Sequence, residues 1–178
     1  MGIKQVTPIG TIDKKIDEQA ERAKKALIRF LHYVGEQVVN TARSLPTPPV
    51  SLFWNSETGS HQSSIPSHTP NYIDWTANLR SSIGYVIVVD GKVYNGNNPS
   101  FEVVSGSEGS GQEGAKEGKE YAKRLAQKYP TGVTLIVVAG MNYAKYVQAR
   151  GYDVTLSAEH LATHLLQQLG TPNIKRIE

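Results

Sequence analysis

The chain has no cysteine among its 178 residues, which excludes disulfides and thiolate chemistry and is compatible with any compartment. No window approaches the roughly 18 unbroken apolar residues needed to span a bilayer, and residues 1–11 carry no apolar signal-peptide core. Both absences predict a protein made in a cytoplasm, with no membrane partner. A basic block is missing as well: the formal net charge is only +3. In both charged helical stretches Lys and Arg are interleaved with Asp and Glu, which reads as solvated faces rather than a dedicated nucleic-acid surface. There is no Gly-x-Ser-x-Gly elbow, no close carboxylate pair in a cleft-like context and no internal repeat. Nothing in the sequence is a positive sign of catalysis. With 39% hydrophobic and 20% charged residues, the chain suits one globular domain able to bury a core.

What is present is organised around Asp74-Trp75-Thr76-Ala77-Asn78-Leu79-Arg80-Ser81-Ser82-Ile83. Asp74 or Thr76 can cap the first free amides of a short helical turn, with Leu79 and Ile83 on one face at i,i+4. Tyr85 to Val89 is then a β-branched run closed by Asp90-Gly91, a dipeptide suited to a two-residue hairpin turn, with Lys92-Val93-Tyr94 as the return strand.

Upstream, Ile12, Ile16, Ala20, Ala23, Leu27, Phe30, Val34 and Val38 recur at steps of three and four, predicting one amphipathic helix over 12–44. Such a helix is about 50 Å long, against about 30 Å for a compact domain of this size. Either its charged first half overhangs the domain or lies on a neighbour, or it kinks near Gly35 over its own core. Pro46, Pro48 and Pro49 end it, and 45–73 reads as an extended loop without periodicity, long enough to suggest a functional or partner-ordered segment. Phe53 and Trp54 within it are either an anchor on the core or a contact held out for a partner.

Downstream, Asn95 to Ser100 reads as a turn region, Phe101 to Val104 as a possible short strand and Ser105 to Gly114 as a flexible linker. Glu113 to Tyr129 reads as a helix with only a modest apolar face, lying on the surface. Val133 to Ala139 is a second strong strand, apolar on both faces for most of its length and hence central or covered. A last helix from about Ser157 to Leu169 places Leu161, Leu165 and Leu169 on one face, and Gly170 and Pro172 mark its stop.

Three constellations invite a chemical reading. Gly109-Ser110-Gly111-Gln112-Glu113-Gly114 fits G-x-G-x-x-G, but Ser105 to Glu108 separate it from the strand end and no acid follows between Glu120 and Asp153 to hold a ribose. Gly118-Lys119 is not a phosphate loop, since Glu113 and Glu120 stand where Gly and Ser or Thr are needed. His160 and His164 at i,i+4 lack the intervening Glu of a zinc protease and read as solvated residues; His61 and His68 have no Cys or clustered carboxylate partners. No cofactor and no metal is expected.

The order of long helix, Pro-rich loop, Thr76-Ala77-Asn78-Leu79-Arg80-Ser81-Ser82-Ile83, hairpin, strand, Tyr143-Ala144-Lys145-Tyr146-Val147-Gln148 and final helix resembles the head-to-tail connector, or tail-completion, proteins of long-tailed bacteriophages. In that family a Thr-Gly-x-Leu-Arg-x-Ser-Ile element leads into the sheet and a Tyr-Ala-x-x-Val-Glu-x-Gly element follows the last strand. Here Ala77 replaces the Gly, and Gln148-Ala149-Arg150-Gly151 replaces Glu-x-Gly with one residue added. The resemblance covers most of 12–170 and implies an α+β fold. In it, a small, mostly antiparallel sheet carries the long N-terminal and the C-terminal helix packed on one face, with an inserted surface helix within 96–130. Residues 1–178 would form a single connector-like domain ending in a tail at 171–178.

It further implies a structural virion protein of the phage neck, assembled as a hexameric or dodecameric ring between portal and tail, with non-specific contact to packaged DNA. Its interface residues would be Arg80, Asn78, Phe53, Trp54, Tyr143, Tyr146 and Gln148. For Arg80 a salt bridge or carbonyl cap within the subunit is the equal alternative, and the bodies of Tyr143, Tyr146 and Val147 would pack as core. The rivals are a nucleotide-binding α/β enzyme using Gly109–Gly114 and a basic DNA-binding accessory domain.

Overall fold

Why does the long helix not end where the domain does? In a computed structural model, which describes residues 9–45, 53–55, 60–62, 72–94, 101–106 and 108–169, helix α1 (Ile9–Ser44) runs unbroken for 36 residues, about 54 Å. Its core-facing positions begin only at Leu27 and Ile28 and continue through Leu31, Val34, Val38, Val39 and Ala42. Everything from Gly10 to Ala23 is exposed, including Ile12 (43%) and Ile16 (60%), so the first half overhangs. Gly35 is not a hinge. A Cβ there would lie 2.6 Å from the Tyr85 ring, so the missing side chain lets the helix sit against that ring.

The loop expected at 45–73 holds a small hairpin, β1 (Phe53–Asn55) and β2 (Ser60–Gln62), with Phe53 opposite Gln62 and Trp54 opposite His61. What the Phe53 and Trp54 side chains touch lies outside the described residues, as do Pro46 to Pro49, His68, 95–100, Pro172 and the tail at 171–178. Helix α2 (Asn78–Ser82) follows and passes directly into β3 (Ile83–Val89), buried over its first six residues. Asp90 (φ 49°) and Gly91 (φ 79°) form the two-residue turn into a short β4 (Lys92–Val93). Two left-handed residues in succession match the twist of a hairpin, and Asp followed by Gly tolerates both.

No strand forms at Phe101–Val104. The segment is held instead by a side chain of α2: the Val104 amide donates to Ser81 Oγ (2.9 Å), and that hydroxyl donates to the Val104 carbonyl (3.3 Å). Helix α3 (Gln112–Ala126), β5 (Val133–Ala139), α4 (Ala144–Ala149) and α5 (Leu156–Gln167) complete the chain. The main sheet is β4-β3-β5, antiparallel throughout, with Ile83 opposite Ala139 and Val89 opposite Val133. Alternation along β3 sends Ile83, Tyr85 and Ile87 toward α1 and α5, and Val86 and Val88 toward α3.

The fold is therefore α+β with α1 and α5 on one face, as the resemblance implied. Helix α3 lies at the surface on its Lys and Glu side, yet its other side closes the second face of the sheet. Ala122, Leu125 and Ala126 bury there with Ile136 and Val138. The weak apolar face concealed this because its contact is made by small residues: a Cβ on Gly114 or Gly118 would collide with the backbone carbonyls of Asn78 and Ser82. On α5 the buried side is Ala158 with Ala162, Leu165 and Leu166, while Leu169 is 53% exposed.

Candidate assembly surface

The opening motif is a knot of same-chain hydrogen bonds. Asp74, 6% exposed, accepts the Arg80 backbone amide at 2.8 Å, and Thr76 Oγ1 accepts that of Asn78 at 3.3 Å, so both predicted caps of α2 are used. Arg80 Nε stands 3.5 Å from the same Asp74 carboxylate, so the within-subunit salt bridge is formed. Burial first, and the nearby negative Asp74 second, push the Tyr72 phenol well above its ordinary pKa; the Tyr143 phenol moves up for the same two reasons. Asn78 holds the start of α3, its Oδ1 accepting the Gly114 amide and its Nδ2 donating to Glu113 (both 3.3 Å). Ser82 Oγ donates to the Leu79 carbonyl and accepts the Met141 amide, tying α2 to the end of β5.

Ala77, between these capping residues and the first residue of α2, has φ 56° and no exposure. This left-handed backbone is one a glycine adopts without strain.

The remaining expected site residues divide. Tyr143 and Val147 are half-buried beside Tyr72, Leu79, Ala144 and Val154, and Gln148 accepts from Thr155 Oγ1 at 3.3 Å. Tyr146, expected in the core, is 73% exposed. In the six-residue α4, Tyr143, Ala144 and Val147 form the inner side, and Tyr146 projects from the other. His160 and His164 are exposed, and among the described residues no cluster of three or more His, Asp or Glu side chains could hold a metal.

The segment read as a flexible linker is packed instead. Cβ atoms on Gly106, Gly109 and Gly111 would meet Trp75, Thr76 and the Ser81 and Val104 oxygens within 2.3–2.8 Å. These glycines make room for this chain's own backbone, not for a phosphate, and the antiparallel β3–β5 pair lacks the parallel crossover that a dinucleotide site is built on.

One cluster was invisible in the sequence. Tyr85, only 2% exposed, donates from its Oη to Glu36 Oε1 at 2.8 Å, and His32 Nδ1 lies 3.1 Å from the Tyr85 Oη. Burial, then the Glu36 hydrogen bond and charge, push that phenol well above its ordinary pKa. Spacing on α1 groups His32 with Glu36, but only tertiary packing brings Tyr85 between them.

Two features of the surface are left without a same-chain companion among the described residues. Strand β5 was expected to be central or covered; it is covered on both faces, while β3 is the central strand and β5 the edge. Gly140 N donates to Ser82 O and Asp90 N to Gly132 O, so ladder bonds belong to the even-numbered β5 residues, and Val133, Leu135, Val137 and Ala139 aim their amides and carbonyls outward. A groove of about 1490 Å³ follows this edge, between Leu27, Leu31 and Ala162 on one side and Tyr121, Leu125 and Tyr129 on the other. No Lys, Pro or acid interrupts the strand. The second feature is the overhanging half of α1. An open apolar edge and an overhanging helix with an exposed apolar stripe are what a subunit completed by association displays.

No family model, no curated protein and no solved structure matches this chain. No helix among the described residues is long and apolar enough to cross a membrane.

Proposed function

We propose that this chain is a structural, non-enzymatic subunit of a bacteriophage neck, one copy in a ring that joins the portal complex to the tail and lines or seals the DNA exit path in the virion. The observation that carries this reading is the edge of β5, which no strand among the described residues pairs with; it is seven residues long, apolar except for Thr134, and flanked by helices on both sheet faces. A slot of that kind accepts one more strand, and in a ring each subunit offers its slot to the next. The left-handed Ala77 adds support, because the resembled motif has glycine at that position.

Particle imaging of virions carrying the chain, with a tag on an exposed position such as Lys123, is the direct test. Copies arranged in a ring at the head–tail junction are the expected result. Tag density absent from that junction, with the chain elsewhere in the host cell, overturns the reading.

A further inference from the structure

The overhanging half of α1 carries more information than its exposure. Its apolar stripe, Ile12, Ile16, Ala20 and Ala23, is exposed along its whole length. On one flank Asp13, Asp17 and Glu21 follow at i, i+4 and i+8, making an acidic row whose one cation, Lys24, is already paired with Asp90 at 2.8 Å. On the opposite flank Lys15 and Arg22 follow at i and i+7, making a basic row that Arg29 continues beyond the overhang. All but Lys24 are exposed, and Glu18, Lys14 and Lys25 lie behind, away from the stripe. Residues read along the chain as mixed charge are thus sorted by the helix into two opposite edges.

This sorting selects a partner and a direction. When two such helices run the same way with stripes together, the acidic row of one meets the basic row of the other. Run oppositely, like meets like on both sides. We infer that residues 9–26 of α1 pack against the same segment of further copies of this chain, all helices pointing the same way, so that acidic and basic rows alternate around the assembly. The inference rests on the ring reading for the existence of those copies and names one contact that holds them. An acidic row beside the stripe opposes nucleic acid or an anionic membrane as the occupant.

The absence of cysteine makes the test direct, since a substituted thiol is the only one in the full chain. Chains carrying Ile12→Cys and Ala23→Cys are mixed, oxidised and analysed by mass spectrometry, with light scattering on the reduced mixture. Parallel packing joins 12 to 12 and 23 to 23. Antiparallel packing joins 12 to 23, which in the parallel arrangement stay about 16 Å apart along the axis, beyond disulfide reach. The expected result is the two like-to-like products in at least tenfold excess. In a second arm Ile16→Asp, at a solvated position that leaves the body intact, weakens self-association at least tenfold.

A dominant 12-to-23 product overturns the inference, as does a chain that stays monomeric with both thiols unlinked, including one whose overhang is protected only by anionic vesicles. Assemblies that form with both thiols free, and are indifferent to Ile16→Asp, also overturn it while leaving the ring reading in place.

Discussion

Tyr85 has one hydroxyl proton and two polar neighbours. An ionised Glu36 can only accept, so the proton goes to Glu36, and His32 must then donate from Nδ1 to the phenol oxygen. Tyr85→Phe removes both bonds and strands the imidazole; a loss of about 1–2 kcal/mol, read as a lower urea midpoint at unchanged m, is expected. The pH dependence has a definite sign. Because the folded phenol titrates above the unfolded value of about 10, its stabilisation is complete below that pH and lost as pH rises beyond it. Urea melts across the alkaline range should therefore show a fall that is shallower in Tyr85→Phe. Arg80 gives a second test at this scale. Its removal leaves the Asp74 carboxylate, 4% exposed, without its cation, so Arg80→Ala should destabilise the isolated subunit by about 2 kcal/mol in the same melts, which a residue serving only an interface would not do. The Asp74 and Thr76 caps were legible because capping is local in sequence. The Tyr85 cluster was not, because its partners are 49 and 53 residues away.

Elements were legible where period and length agree, and misread where contact depends on what is missing. Helix α1 was readable from its three-four repeat, and the Asp90-Gly91 turn from its dipeptide. Asp90 does more than turn: it pairs with Lys24 at 2.8 Å and accepts the Gly132 amide at 3.0 Å, joining helix, hairpin and β5 at one corner. The role of α3 was hidden because glycine and alanine register as weak hydrophobes, although they allow the closest approach. Gly118→Ala tests this. Helix propensity alone predicts a gain of about 1 kcal/mol, but the new methyl would lie 2.4 Å from the Ser82 carbonyl and 2.8 Å from the Phe101 ring. A net loss of about 1–3 kcal/mol in thermal or urea unfolding is expected, since the backbone contact cannot yield. The apolar run of β5 disclosed that both faces are covered, but hydropathy says nothing about whether a strand has one neighbour or two.

Among the described residues the main sheet has three strands between two helical layers, with the β5 edge open. Proline scanning separates the two sides of β5. Thr134→Pro deletes a ladder donor to β3 and should cost at least about 2 kcal/mol of subunit stability. Leu135→Pro deletes an outward donor; circular dichroism should show a folded subunit, and light scattering a loss of assembly if a neighbour's strand uses that edge. The long-range pairing has a kinetic consequence too. Strand β3 is complete at Val89, yet its partner begins at Val133, and α1 finds α5 only after Leu156. During synthesis β3 therefore emerges with α1 already available for one face but well before α3 can cover the other or β5 can pair with it, and loop closure over those separations must precede that reward. Folding should be paced by chain topology in the millisecond-to-second range and complete only after the last helix leaves the ribosome, so nascent chains stalled before residue 156 should be caught by holdase chaperones.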